Sequence, residues 1–266
     1  MVDIFEEVAR VKREGSGVVL ATIVEGGRES PGKMGFRMLV YPDGRVSGTV
    51  GGGLLEEKVR KEALRCMQSK KTELIEYILD ERNAQGLGML CGGKVKVFLE
   101  MIEGTPKLFV FGGGHIALSL VQFAKQLDYA VLVADNREEF SNKQRFPLTD
   151  ETQTGDYAQI VRALDFRDID SVVIVTHGHE FDEVVLRECL RKSILPGYIG
   201  MIGSRNKIAI TFSRLKEQGV APDLLARVKS PIGLDIGAKS PPEIALSIMA
   251  EIVAQKYGKV GGLSST

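Results

Sequence analysis

The 266-residue sequence has little of what would mark several classes of protein. Its three cysteines, Cys66, Cys91 and Cys189, are odd in number and far apart, which argues against a disulfide framework. Basic and acidic residues number 35 each, so no excess charge favours a nucleic acid partner. No apolar run approaches the length of a membrane span, and the acidic, amphipathic N-terminus is not typical of a secretory signal. We therefore expect a globular protein of a reducing cytoplasm.

The chain does have the apolar residues, 44% of the total, that are needed to bury one large core or two modest ones. A short polar segment with Gly and Pro together, Glu103 to Pro106, predicts a domain boundary. We expect an N-terminal α+β domain over residues 1–103 and a second domain over residues 104–266. A single sheet holding both the predicted strand 94–100 and the predicted strand 108–111 would contradict this division.

The most informative stretch is residues 107–117, which read KLFVFGGGHIA. An apolar strand meets Gly112, Gly113 and Gly114, a helical pattern begins near His115, and the next apolar run ends at Asp135. This is the Gly-x-Gly-x-x-Ala fingerprint of dinucleotide-binding domains, with an acid at the place where one binds ribose. In it, one glycine permits a tight turn and another lets a diphosphate approach the helix N-terminus. The alternative is a domain that keeps these glycines only for chain geometry.

A second triple-glycine turn, Gly51, Gly52 and Gly53, also follows a predicted strand and opens a predicted helix. The same physics makes it a candidate anion cradle. Glu56 and Glu57 lie in the first turn of that helix, where their carboxylates could satisfy the free N–H groups without a ligand. Both interpretations stay open at the level of sequence.

All three histidines, His115, His177 and His179, follow predicted strands of the second domain. Ligands of doubly wound sheets lie beyond the carboxyl ends of the strands, so one cleft should be lined by His115, Asp135, His177 and Arg205. Imidazoles there favour proton transfer or metal binding, with Asp182 as a further ligand, although His-x-His matches zinc only loosely and we assign no metal. The alternative is an exposed polar loop. His177 on the opposite edge from Gly112 would contradict the convergence.

The cysteines divide into two kinds. Cys66 and Cys189 lie on apolar helical stripes and are predicted to belong to the core. Cys91 precedes Gly92, Gly93 and Lys94, so its sulfur could be accessible and its pKa lowered by the cation. A thiolate nucleophile, a sulfur carrier and a soft-metal ligand are the functional interpretations. The alternative is a turn cysteine packed under its loop.

Long ordered motifs over nearly the whole chain resemble the xanthine dehydrogenase accessory factors of the XdhC/CoxI type. The motifs are GTVGGGLLE at 48–56, GMLCGG at 88–93, FGGGHI at 111–116, DNR at 135–137, VTHGH at 175–179, YIGMIGSR at 198–205 and PIGLDIG at 231–237. Two places depart from the family pattern. Residues 29–33 read ESPGK instead of a Ser-Ser-Pro-Arg loop, and Lys229-Ser230 stands where the family often has His. We therefore carry over no arginine contact at the first place and no catalytic role at the second.

The resemblance implies an α/β protein with a C-terminal Rossmann-like doubly wound parallel sheet and a smaller N-terminal α+β domain. It implies a factor that binds molybdenum cofactor and assists its sulfuration and insertion into a xanthine dehydrogenase-type molybdenum hydroxylase. A cysteine desulfurase would donate the sulfur, and the factor would be a homodimer. The alternatives are an NAD(P)-dependent oxidoreductase acting on a small molecule and a nucleotide-sensing regulatory subunit.

Carried over to this sequence, the resemblance also implies two sets of site residues. Cys91, His177 and His179 are the expected catalytic residues. The expected contacts to the cofactor, or to NAD(P) or another nucleotide, are Gly51, Gly52, Gly53, Gly92, Gly93, Gly112, Gly113, Gly114, His115, Asp135, Arg137, Ser204 and Arg205.

Overall fold

The computed structural model describes residues 3–26, 30, 32–79 and 94–259. The chain separates into two compact units, the first ending at Thr105 and the second beginning at Pro106. The strands on either side of this division, residues 94–102 and 107–111, belong to different sheets. The predicted site residues Cys91, Gly92 and Gly93 lie outside the described residues.

In its described residues, the first unit is an antiparallel sheet with two helices. In chain order its elements are α1 (Ile4–Glu14), β1 (Val18–Gly26), β2 (Arg37–Val40), β3 (Val46–Gly48), α2 (Gly53–Ser69), β4 (Glu73–Ile78) and β5 (Lys94–Ile102). The five strands lie in the order β3-β2-β1-β5-β4. Alternate residues of β5 and the apolar stripe of α2 form one core, which includes the fully buried Cys66, as predicted.

The second unit is a six-stranded parallel sheet flanked by helices. Its elements are β6 (Lys107–Phe111), α3 (His115–Gln126), β7 (Ala130–Asp135), a 3₁₀ helix (Glu138–Phe140), β8 (Glu151–Thr154), α4 (Tyr157–Ala163), β9 (Ser171–Ile174), α5 (His179–Leu190), β10 (Tyr198–Met201), α6 (Arg205–Glu217), α7 (Pro222–Ala226), β11 (Val228–Lys229) and α8 (Pro241–Lys256). The strands read SVVI in β9 and YIGM in β10 and are buried along their whole length, because helices cover both faces. Cys189 of α5 is fully buried, as predicted.

The strand order of this sheet, β11-β10-β9-β6-β7-β8, is that of a doubly wound fold and confirms the predicted fold class. The chain leaves β6 toward β7 on one side and later returns to β9 on the other, so a crevice opens between the carboxyl ends of β6 and β9. Phe111 pairs with Ala134 and with Ile174, and Ile174 pairs with Met201, so these strands end at the same edge. Gly112 and His177 therefore follow neighbouring strands at one edge, as the sequence predicted.

None of the helices that the structure describes is both long and apolar enough to cross a membrane.

Candidate functional site

The glycine turn at the crevice holds three residues with different surroundings. Gly112 has φ 109°, and a Cβ on it would lie 2.3 Å from the carbonyl oxygen of Val175. A Cβ on Gly113 would lie 1.7 Å from the carbonyl oxygen of Phe140. A Cβ on Gly114 would meet no atom within 4 Å. Chain packing thus explains the first two glycines, and only Gly114 faces open space where a ligand could approach.

Helix α3 begins at this open position without a side-chain cap. Gly114 is the N-cap residue, and the first turn of α3 contains no acidic residue. The free N–H groups and the positive end of the helix dipole favour an anion there. His115 is the first residue of α3, and its side chain is exposed beside the open glycine.

Asp135, the expected ribose contact, is fully buried at the end of β7. Its Oδ2 accepts hydrogen bonds from Gly113 N (2.8 Å) and Arg137 Nη2 (3.1 Å), and its Oδ1 accepts from Arg137 N (3.1 Å) and Arg137 Nε (2.9 Å). An ionised carboxylate has about four acceptor sites, so none is left for a ribose hydroxyl. In this structure the carboxylate of Asp135 holds the glycine turn in place.

The electrostatics of Asp135 agree with this role. Burial alone would raise the pKa of Asp135, but hydrogen bonds from Arg137 and from the N–H of Gly113 outweigh it and lower that pKa. Arg137, also expected at the cofactor, is therefore engaged with Asp135, and its guanidinium lies 3.8 Å from the ring centre of Phe140. Arg145 Nε donates to the carbonyl oxygen of Gly113 at 3.0 Å. The N–H of Gly113 is thus held by the last residue of β7, and its carbonyl oxygen by the segment that follows β7.

Two polar atoms close to Asp135 make no hydrogen bond with any residue in the described part of the chain. They are Asn136 Oδ1 and the hydroxyl of Tyr157, whose ring packs against Phe111 at 6.3 Å. Burial, and then the charge of Asp135, raises the pKa of Tyr157, so the hydroxyl is a protonated donor. The backbone of Asn136 acts in the opposite direction and lowers the pKa of Tyr157, although it makes no hydrogen bond with the hydroxyl. Buried polar atoms normally have partners, so these two mark a place for a ligand or water.

The loop after β9 contains both remaining histidines, and both are exposed. The ring of His177 lies 4.8 Å from that of Phe181, and His179 is the first residue of α5. Within residues 3–26, 30, 32–79 and 94–259, no group of three His, Cys, Asp or Glu side chains could hold a metal ion.

Asp182 in the first part of α5 is the buried acid of this loop, with 8% of its surface exposed. Its Oδ1 accepts hydrogen bonds from Thr176 N at 3.1 Å and Thr176 Oγ1 at 2.6 Å. Burial raises the pKa of Asp182 to about 6, although the Thr176 hydrogen bonds and the charges of His179 and Lys207 act in the other direction. A carboxyl group with this pKa can accept or donate a proton near neutral pH.

A cavity of about 260 Å³ lies between the carboxyl ends of β9 and β10. Polar groups from three elements converge on it: Thr176, His177, His179, Asp182, Ser204 and Lys207. Ser204 caps α6, and its Oγ accepts from Lys207 N at 3.4 Å. Lys207 was not a predicted site residue, because a lysine in the first turn of a helix carries no motif. Arg205 instead lines a neighbouring cavity of about 560 Å³ with the loop 231–238.

The other triple-glycine turn, in the first unit, is closed by its own helix. Glu56 Oε1 accepts hydrogen bonds from Gly52 N at 2.9 Å and Val50 N at 3.3 Å, and also from Thr49 Oγ1. Of the two interpretations left open by the sequence, the structure adopts the one in which a carboxylate of the chain occupies the cradle. Gly51, Gly52 and Gly53, with φ values of 116°, 81° and 60°, serve the chain reversal there.

Comparison with known proteins agrees with this geometry. The model of the XdhC Rossmann domain matches residues 108–252, and that of the XdhC and CoxI family matches residues 11–78. This chain belongs to the XdhC family. The matched range of the XdhC Rossmann domain contains the open glycine turn, the histidine loop and the cavity.

Three curated relatives are similar over much of the chain. Uncharacterized protein YqeB of Escherichia coli K12 is 34% identical, over 98% of this chain and 48% of YqeB. A probable xanthine dehydrogenase subunit of Bacillus subtilis 168 is 31% identical, over 59% of this chain and 45% of that protein. The molybdenum cofactor insertion chaperone PaoD of E. coli K12 is 23% identical, over 90% of this chain and 84% of PaoD. The chain spans about half the length of the first two.

Among solved structures, a xanthine dehydrogenase from Bacillus halodurans matches all of this chain over 98% of its own length, with 23% identity and a TM-score of 0.53. At this identity, the match shows a shared fold.

Proposed function

We propose that this chain is a maturation factor that binds molybdenum cofactor as cargo and assists its sulfuration and insertion into a xanthine dehydrogenase-type molybdenum hydroxylase. Membership of the XdhC family supports this, as do the names of two relatives, a molybdenum cofactor insertion chaperone and a probable component of xanthine dehydrogenase. The observation that carries the proposal is the open, uncapped turn at Gly114, at the switch point of the parallel sheet.

The residues present fit the phosphate that this cofactor bears. Gly114 leaves room for close approach, and the N-terminus of α3 supplies N–H groups and a favourable dipole. At the same edge, Asn136 Oδ1 and the Tyr157 hydroxyl lack partners among the described residues and could meet further polar groups of a ligand. In this proposal the phosphate lies against Gly114 and His115.

The NAD(P)-dependent oxidoreductase loses support from the same geometry, since Asp135 has no acceptor site for a ribose hydroxyl. The Gly114 turn has three competing occupants: a nucleotide attached to the cargo, free NAD(P), and a regulatory nucleotide. The identification of bound ligand must therefore separate these three.

Sulfur handling is assigned in this proposal to Cys91, on sequence grounds. Gly92 and Gly93 follow it and Lys94 lies close along the chain, a setting that favours an accessible thiolate. His177 and His179 are proposed to move protons at the rim. A cysteine desulfurase as sulfur donor and a homodimer complete the proposal.

Mass spectrometry of ligand bound to protein made in a molybdenum-replete host tests the cargo. We expect the wild-type chain to copurify with a molybdenum-bound pterin. Gly114→Val, whose Cβ would meet no atom within 4 Å, should fold normally by circular dichroism and lose that ligand. Copurified NAD(P), or an undiminished pterin in the variant, would contradict the proposal.

Activation of a cofactor-free hydroxylase tests Cys91. Cys91→Ala should fold and fail to deliver active, sulfurated cofactor. Cys66→Ala is the matched control, because Cys66 is fully buried and its thiol donates to the carbonyl of Lys71 at 2.6 Å. Its loss should lower the free energy of unfolding by roughly 1 kcal/mol or more and leave delivery by the folded fraction intact. Full activation by Cys91→Ala would rule out an essential sulfur role.

A further inference from the structure

The cavity between the carboxyl ends of β9 and β10 combines an apolar floor with a few polar groups. Met201 and Ile208 supply apolar surface, and His177 supplies an exposed imidazole ring. Lys207 and Ser204 line the opposite side. Small-molecule sites have this composition, with apolar walls and a small number of directed polar groups.

Asp182 and Thr211 are the buried polar residues that line this cavity, and the described hydrogen bonds of Asp182 use one of its two carboxylate oxygens. Both described hydrogen bonds, from Thr176 N and Thr176 Oγ1, end on Oδ1. No donor in the described part of the chain reaches Oδ2, although only 8% of the residue is exposed. Oδ2 is not one of the fully buried side-chain atoms without a partner, so it keeps some exposure at the cavity, where a ligand that supplies an N–H can reach it.

We propose that this cavity binds the 2-amino-4-oxopyrimidine edge that pterins and guanine share, with Asp182 Oδ2 accepting the amino N–H. The proposal rests on the proposed function in one respect: the pterin of the cargo is the expected source of that ring. Lys207 donates to the 4-oxo group, and the imidazole of His177 lies against the ring face. A free oxyanion fits Oδ2 poorly, because two negative charges would meet in a buried place.

The cavity borders the glycine turn through Thr176. A Cβ on Gly112 would lie 2.8 Å from Thr176 Cα, and Thr176 also binds Asp182. One ligand can therefore use two subsites along the same edge, with its phosphate at the α3 N-terminus and its ring beside Asp182.

Asp182→Asn reverses the polarity at one atom and keeps the shape. The N–H of Thr176 requires an acceptor, so the amide oxygen takes the place of Oδ1 and the amide NH₂ takes the place of Oδ2. In the variant, the 2-amino group of pterin would face the amide NH₂, so two donors would meet. The 2-oxo group of lumazine would instead accept a hydrogen bond from that NH₂. The probes are pterin (2-amino-4-oxopteridine) and lumazine (2,4-dioxopteridine), whose own fluorescence reports binding to the full chain.

The wild-type chain should bind pterin about tenfold more tightly than lumazine, and Asp182→Asn should remove or invert this ratio. The matched control, Asp223→Asn on the exposed first turn of α7, should keep it. Guanosine and inosine form a second pair, and tighter binding of guanosine than of pterin would identify a guanine nucleotide as the source. A ratio unchanged in Asp182→Asn, or no binding of either 2-amino ring, would overturn the assignment.

This outcome is separable from that of the proposed function. If molybdenum cofactor copurifies with the wild-type chain and the pterin-to-lumazine ratio ignores Asp182, only the ring site is wrong. If the ratio responds to Asp182 and no molybdenum cofactor copurifies, the ring site stands and the cargo is wrong.

Discussion

Gly51–Gly53 and Gly112–Gly114 each follow a strand and begin a helix, yet only the second leaves its helix N-terminus open. The difference arises four residues after each N-cap glycine, where α2 has Glu56 and α3 has Leu118. Glu56 folds back and accepts the N–H of Gly52, which is the place an anionic ligand would take. A triple glycine is thus a cradle for a ligand only where the first helical turn supplies no acid.

The two turns also differ in what holds them. The first is held by a partly exposed carboxylate of its own helix, Glu56. The second is held from outside by the buried Asp135 of the neighbouring strand, together with Arg145. Because α3 needs no acid of its own, its N–H groups stay available. The comparison therefore predicts different costs for matched changes.

The largest effect is expected from removing the buried anchor. Asp135→Ala leaves Arg137 and the N–H of Gly113 without their acceptor and should lower the free energy of unfolding by about 4 kcal/mol. Glu56→Ala, its counterpart at the first turn, should cost only about 1 kcal/mol. Urea denaturation of both variants measures the difference. Equal losses would remove the distinction between the two turns.

Gly113→Ala should cost about 3 kcal/mol, because its Cβ would overlap the carbonyl of Phe140. Gly114→Ala, one residue later, should stay within about 0.5 kcal/mol of wild type, since nothing lies within 4 Å of the added carbon. The same denaturation experiment decides, with ligand copurification as a second measurement. A larger loss of stability in Gly114→Ala than in Gly113→Ala would contradict the conclusion that Gly114 faces open space.

The raised pKa of Asp182 predicts that the free energy of unfolding depends on pH. The pKa of Asp182 is raised to about 6 in the folded chain, so its protonated form is favoured there and stability falls as pH rises through that value. Relative to Asp182→Asn, the wild type should gain about 2 to 3 kcal/mol between about pH 7 and about pH 4. Asp135, whose pKa is lowered, acts in the opposite sense, and its contribution is lost as pH falls through its folded-state pKa.

The variant serves as the reference for this pH effect because other groups face Asp182. They are His177 and His179 on its own loop and helix, Lys207 on α6 and Tyr157 on α4. These groups are present in both proteins, so the difference reports the Asp182 charge together with its coupling to them. A difference that is flat with pH would show that Asp182 is not perturbed by burial.

A small effect should come from neutralising Glu56, the carboxylate that closes the first turn. Glu56→Gln keeps an acceptor for the N–H of Gly52 and loses the charge, at a cost of about 0.5 to 1 kcal/mol. Glu57→Gln, whose carboxylate is 53% exposed and paired with Lys61, is the matched control and should cost less.

Sulfate should shift the amide NMR signal of Gly52 in Glu56→Ala and leave it unmoved in wild type. A shift in wild type would mean that the first turn is open as well.

Much of the second unit was predictable from sequence because its signals are local. Apolar runs, glycine turns and helical stripes follow each other along the chain, and the handedness of parallel crossovers then places every strand end on one edge. Ser240 before Pro241 predicts the start of α8, where the structure has a capping box with Glu243. The edge position of His177 follows from the same short-range order.

The hydrogen-bond partners of each polar group could not be predicted from the sequence in this way. The sequence by itself determined the doubly wound sheet, the glycine turn at its switch point and the histidines along that edge, because strand order and chain reversals depend on neighbouring residues. Only the tertiary structure decided that Asp135 is saturated, that Glu56 closes the first turn, and that Asp182 and Lys207 share a cavity. Hydrogen bonds and cavities depend on which side chains packing brings together, and residue type alone does not specify those partners.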